Sequence, residues 1–76
     1  MNEVVLSVLK SHFGDDVVIE ESSHIIDDLG GDDFDIVDIV VQIEEKLGIS
    51  IPEEETFDVV TVSQLNEVVE LNVQSD

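Results

Sequence analysis

The sequence predicts an all-α domain: a small four-helix bundle with a long first loop and a short third helix. Two kinds of signal carry this. Apolar residues recur at helical spacing in three segments, and capping residues and glycines mark where those segments begin and end. Composition allows a core for it. Apolar residues make up 42% of the 76 positions, which is too many for wholesale disorder despite the charge. Only three residues are aromatic, so that core is expected to be mainly Val, Ile and Leu.

The first helix is expected over about residues 3 to 13. Asn2 is an N-cap with Glu3 in the first turn. Val5, Leu6, Leu9 and Phe13 form the apolar stripe, and Gly14 is the stop. Residues 14 to 31 show no sustained period. Apolar anchors at Val18, Ile25, Ile26 and Leu29 are expected to pin this long loop to the core. Asp32 has the chemistry to cap the second helix, with Asp33 and Asp35 in the first turn, where carboxylates meet free N–H groups and the positive end of the helix dipole. That helix should run to Leu47 and stop at Gly48. Glu53 to Val59 suggests a short, irregular third helix. Thr61-Val62-Ser63-Gln64 has the form of a capping box. Val62, Leu65, Val68 and Val69 then give the fourth helix its stripe, ending near Leu71, with a frayed tail from Asn72 to Asp76.

The second helix carries two apolar faces. At about 100° per residue, Ile36, Ile39, Val40, Ile43 and Leu47 fall within about 100° of arc, which is a core face. Phe34, Val37 and Val41 fall nearly opposite, within about 60° of one another. Asp38 and Glu45 flank this second stripe, and Glu44 lies on its other side beside Val37. One account is a central helix that touches neighbours all round. The other is a docking strip, with apolar contacts for affinity and acids that steer a basic partner.

Charge narrows the partners. Twenty acidic residues face two lysines and no arginine, a formal net charge of −18. Such a chain repels nucleic acid and anionic membranes and favours basic protein surfaces or cations. It is expected to be a monomer. There is no cysteine, hence no disulfide framework and no thiolate metal site. No apolar run approaches the roughly 20 residues that span a bilayer, and no signal-like segment opens the chain, so a cytoplasmic location is expected. No catalytic arrangement is recognisable, and the chain is not expected to be an enzyme. His12 and His24 lack a paired ligand motif. An EF-hand reading fails because Leu29 and Phe34 occupy places that need oxygen ligands. Loose Ca²⁺ or Mg²⁺ binding by clustered carboxylates stays open, but no specific metal site is expected.

Residues 27 to 38 read Asp27-Asp28-Leu29-Gly30-Gly31-Asp32-Asp33-Phe34-Asp35-Ile36-Val37-Asp38. They resemble the segment Asp-x-Leu-Gly-x-Asp-Ser-Leu-Asp-x-Val-Glu that opens the second helix of acyl carrier proteins. Gly48 through Glu55 and the pair Thr61-Val62 are also similar to that family, so the likeness spans roughly residues 3 to 71. The resemblance implies one acyl-carrier-type domain over residues 1–76, whose second helix docks on basic patches of fatty-acid or polyketide enzymes. It assigns Asp35, Asp38, Glu44 and Glu45 to acidic docking positions and Phe34, Val37 and Val41 to apolar ones. In the family a serine bears 4'-phosphopantetheine; here that position holds Asp33. The resemblance therefore implies a carrier-like module with no covalent cofactor as sequenced, and phosphopantetheine only if serine stood at position 33. Three alternatives stay open. The chain could be an ordinary carrier in a serine-replaced variant. It could be an acidic mimic that occupies a nucleic-acid-binding site, or a cation buffer.

Overall fold

The computed structural model describes residues 2–73. Three α-helices and one 3-10 turn follow in chain order: α1 (Glu3–Phe13), α2 (Asp33–Leu47), the turn Glu53–Glu55, and α3 (Val62–Val73). The all-helical bundle matches the expected class. The third helix is shorter than its sequence suggested, because the segment after Glu55 continues as turn rather than helix. Helix α3 runs two residues beyond the expected end, so Asn72 and Val73 are helical. The rest of the expected tail lies outside the described residues.

Each helix starts and stops for a local reason. The Asn2 side chain accepts hydrogen bonds from the N–H groups of Val4 and Val5, at 2.8 and 3.4 Å. These satisfy two of the orphan donors at the start of α1. The Asn2 N–H also donates to Asn66 Oδ1 at 2.9 Å, which ties the start of α1 to α3. In α3, Thr61 and Gln64 form the reciprocal cap the sequence predicts. Gln64 N–H donates to Thr61 Oγ1 at 3.2 Å, and Thr61 N–H donates to Gln64 Oε1 at 3.0 Å. Gly48 closes α2 in the left-handed region, with φ of 67°. A Cβ there would be strained, so the stop depends on glycine.

The core is a single cluster of Val, Ile and Leu contributed by all three helices and the loops between them. No polar or charged side chain is buried among the described residues. Helix α1 buries Val5, Val8 and Leu9, while Val4 and Phe13 pack at its edge. Val8 takes the fully buried place that the predicted stripe assigned to Leu6, which is only half-buried. Helix α3 buries Val62, Leu65 and Val69, with Val68 packed beside them. Fully burying such side chains stabilises by about 1.5–3 kcal/mol each.

The long first loop is held by backbone as well as side chains. Ile25 N–H donates to Val60 O at 2.9 Å, Val62 N–H to Ser23 O at 3.0 Å, and Ser63 N–H to Glu21 O at 2.8 Å. The loop therefore runs antiparallel to the entry of α3, with His24 and Thr61 paired. Ile25 is fully buried, and Ile26 and Leu29 pack on the core as expected. Val18 does not. It is 75% exposed, and Ile19 packs inward instead. Val17 and Ile19 are half-buried and Val18 between them is exposed, an alternation that puts adjacent apolar residues on opposite sides. The loop returns to α2 through Gly31, where a Cβ would sit 3.0 Å from Phe13 Cζ and 3.3 Å from Ile25 O. The lack of a side chain at Gly31 lets the end of α1 approach the start of α2.

Candidate docking and attachment site

Helix α2 positions nearly every residue that the sequence singles out. Its entry is a reciprocal capping box. Asp35 N–H donates to Asp32 Oδ1 at 3.0 Å, and Asp32 N–H donates to Asp35 Oδ2 at 2.9 Å. Asp33 is the first helical residue and is exposed. Its carboxylate is favoured there by the free N–H groups and the dipole.

The other oxygen of Asp35 is also engaged. His12 Nε2 lies 2.8 Å from Asp35 Oδ1, which links the last turn of α1 to the first turn of α2. The same ring brings Nδ1 to 3.8 Å from Asp38 Oδ2. The hydrogen bond with His12, then the Asp32 N–H and the His12 charge, hold the Asp35 carboxyl below the usual carboxylate range against the opposing effect of desolvation. Sequence reading had found no role for His12. Its place in the last turn of α1 was legible, but its partner, 23 residues away, was not.

The two faces of α2 separate cleanly. Ile36, Ile39, Val40 and Ile43 are buried, and Leu47 packs at the edge of the cluster. On the opposite side Phe34 is 84% exposed, Val37 55% and Val41 43%. The predicted acids divide in the same way. Asp38 and Glu45 are exposed beside the apolar strip. Glu44 is half-buried, and its Oε2 accepts the Ile51 N–H at 2.7 Å. Glu44 thus fastens the chain beyond α2 to the end of the helix, and Asp35 fastens α2 to α1.

Beside Asp33 the strip borders a cleft of about 410 Å³ between α2 and the 3-10 turn. Asp33, Ile36, Val37, Glu53, Thr56, Phe57 and Val59 line it. Phe57, 73% exposed, forms one wall and was not singled out from the sequence. It follows the 3-10 turn without helical periodicity, so spacing gave no signal. Of the hydroxyls, Thr56 shares the cleft with Asp33, and its Oγ1 donates to Glu53 O at 2.8 Å. Ser22 and Ser23 lie in the first loop, where Ser23 Oγ accepts the Glu20 N–H at 3.0 Å. Ser50 lies past the far end of α2. Among the described residues, no helix is long and apolar enough to cross a membrane.

Comparison with known proteins agrees with this geometry. The family model described as a phosphopantetheine attachment site matches residues 3–69, from the start of α1 to within α3. An acyl carrier protein of Wolinella succinogenes is 39% identical over 54 residues, which cover 71% of this chain and 71% of that protein. A match over most of the chain, together with the three-helix core and the acidic capped α2, establishes that the chain belongs to the acyl carrier protein family.

Proposed function

We propose that this chain is a non-catalytic carrier-type module, a single domain over residues 1–76, that docks through α2 on basic surfaces of acyl-chain-processing enzymes. We further propose that it does so without a covalent phosphopantetheine arm. The observation that carries the docking reading is the exposed strip Phe34, Val37 and Val41, bordered by Asp38 and Glu45 and backed by a separate core face. A small bundle needs one apolar face per helix for its core, and a second one left in solvent is a surface available to a partner. The surrounding negative charge selects a basic one and speeds encounter. Asp35 and Glu44 support the site by fixing the two ends of α2.

The reading without an arm rests on the chemistry of position 33. Arm transfer needs an alcohol oxygen that attacks the pyrophosphate of coenzyme A and leaves a stable phosphodiester. The Asp33 carboxylate attacking the same phosphorus would give a mixed anhydride, which water cleaves. The phosphopantetheine group therefore does not fit this chain as it stands. Intact-mass spectrometry after incubation with coenzyme A and a broad-specificity phosphopantetheinyl transferase tests this. The chain should keep its mass, and Asp33→Ser should gain one arm. A mass gain by the unsubstituted chain would overturn the reading.

A further inference from the structure

We propose that the cleft beside Asp33 receives an arginine side chain of the partner protein. The guanidinium would be held by Asp33 and Glu53, and the methylene stem would lie on Val37 and Phe57. This rests on the docking reading and names what one part of that surface recognises. The lining is graded by depth. Ile36 and Val59 are buried and make the floor, Thr56 is half-buried, and Val37, Phe57 and the carboxylates of Asp33 and Glu53 are exposed around it. An apolar floor with an anionic rim suits a ligand with an apolar stem and a cationic head. It disfavours a carboxylate or a phosphate. Among cationic side chains, arginine is more weakly hydrated than lysine and stacks on aromatic faces, which Phe57 offers.

The positive end of α2 opposes a cation here, but it amounts to about half a charge, against two full carboxylates. A second copy of the chain cannot supply the guanidinium. The sequence contains no arginine, its cations are Lys10 and Lys46, and a net charge of −18 keeps copies apart.

The probe is n-butylguanidinium, which reproduces the head and stem of an arginine side chain. It is titrated into the ¹⁵N-labelled chain, with n-butylammonium and n-butanol as comparisons. Saturable amide shifts are expected at Asp33, Ile36, Val37, Phe57 and Val59. Affinity should fall about three- to fivefold in Asp33→Asn and in Glu53→Gln, the scale of one exposed ion pair. Butanol should give no saturable shift, and butylammonium should bind more weakly. Thermal melts confirm that both variants are folded. Shifts spread over the whole acidic surface, including Glu3 and Glu67, would overturn the proposal, as would unchanged affinity in both variants. Equal binding of butylammonium would overturn the choice of arginine. The docking reading is tested separately at Asp38 and Glu45, which lie outside the cleft. Loss of the cleft inference therefore leaves that test intact, and loss of docking would show there first.

Discussion

The two sides of α2 are built from the same kinds of residue and meet opposite surroundings. Ile36, Ile39, Val40 and Ile43 make up part of the core, while Phe34, Val37 and Val41 remain exposed. The acids follow the same division. Asp35 and Glu44 stand at the two margins of the buried arc, each about 40° from its nearest core residue, and each makes a structural hydrogen bond, to His12 and to the Ile51 N–H. Asp38 and Glu45 stand well outside that arc and are exposed. An acid at the edge of an apolar face can reach a fixed donor that is itself partly shielded. An acid on the outer face meets water, where an ion pair such as that of Asp38 with His12 at 3.8 Å adds little. The comparison teaches that four carboxylates grouped together by likeness divide into two structural and two solvent-facing ones once their angle to the core is considered.

The sharpest way to break the comparison is a paired substitution across the helix. Ile43→Ser should cost about 3–5 kcal/mol by opening a cavity and burying a hydroxyl. Val41→Ser should cost less than about 1 kcal/mol, as expected for a solvent-facing position. Urea denaturation of both variants measures this, and equal losses would make the second stripe part of the core. Next in size is the pair of neighbouring acids. Glu44→Ala removes the acceptor of the part-buried Ile51 N–H and should cost about 1–2 kcal/mol, whereas Glu45→Ala should stay within about 0.5 kcal/mol. A smaller effect follows from the acids facing solvent. Raising salt to ~0.15 M should increase the melting temperature by several degrees by screening their mutual repulsion. Identical melting curves at low and high salt would show that these charges do not oppose folding.

The subtlest expected effect is the pH dependence of Asp35. Its folded-state carboxyl titrates below its ordinary value of 3.8, chiefly through the hydrogen bond with His12. A carboxyl depressed in the folded state adds stability that is present above the unfolded value. That stability disappears as pH falls through the lower folded value. The gap in stability between the parent chain and Asp35→Asn should therefore shrink as pH falls below about 4. Denaturation of both at several pH values reads the gap directly. A gap that widens as pH falls below about 4 would reverse the assigned sign.

Much of the fold was legible because local chemistry decided it. The caps at Asn2, Asp32 and Thr61, the stops at Gly14 and Gly48, and the core stripes of α2 and α3 are all signals within a few residues. The errors arose where local signals were absent or ambiguous. Leu6 and Val8 are both apolar and adjacent to the α1 stripe, and only packing against the other elements decides which is buried. Val18 and Ile19 are neighbours in the long loop, and only Ile19 packs inward. The 3-10 turn at Glu53–Glu55 lacks the length for a period to show. In the site, the outer strip of α2 was visible on the helical wheel. The His12–Asp35 link and the cleft wall at Phe57 were not, because both join segments far apart in sequence.

The claim at the centre of this account is that the outer face of α2 is a docking surface, and arm transfer offers a direct measure of docking. In an Asp33→Ser background, the rate of phosphopantetheine transfer by a transferase is read at carrier concentrations well below saturation. Adding Asp38→Lys and Glu45→Lys together should lower that rate by about tenfold at low salt, and the difference should narrow as salt screens the charges. Thermal stability should be nearly unchanged. An undiminished rate in the double variant, with the fold intact, would contradict the assignment of this face to docking.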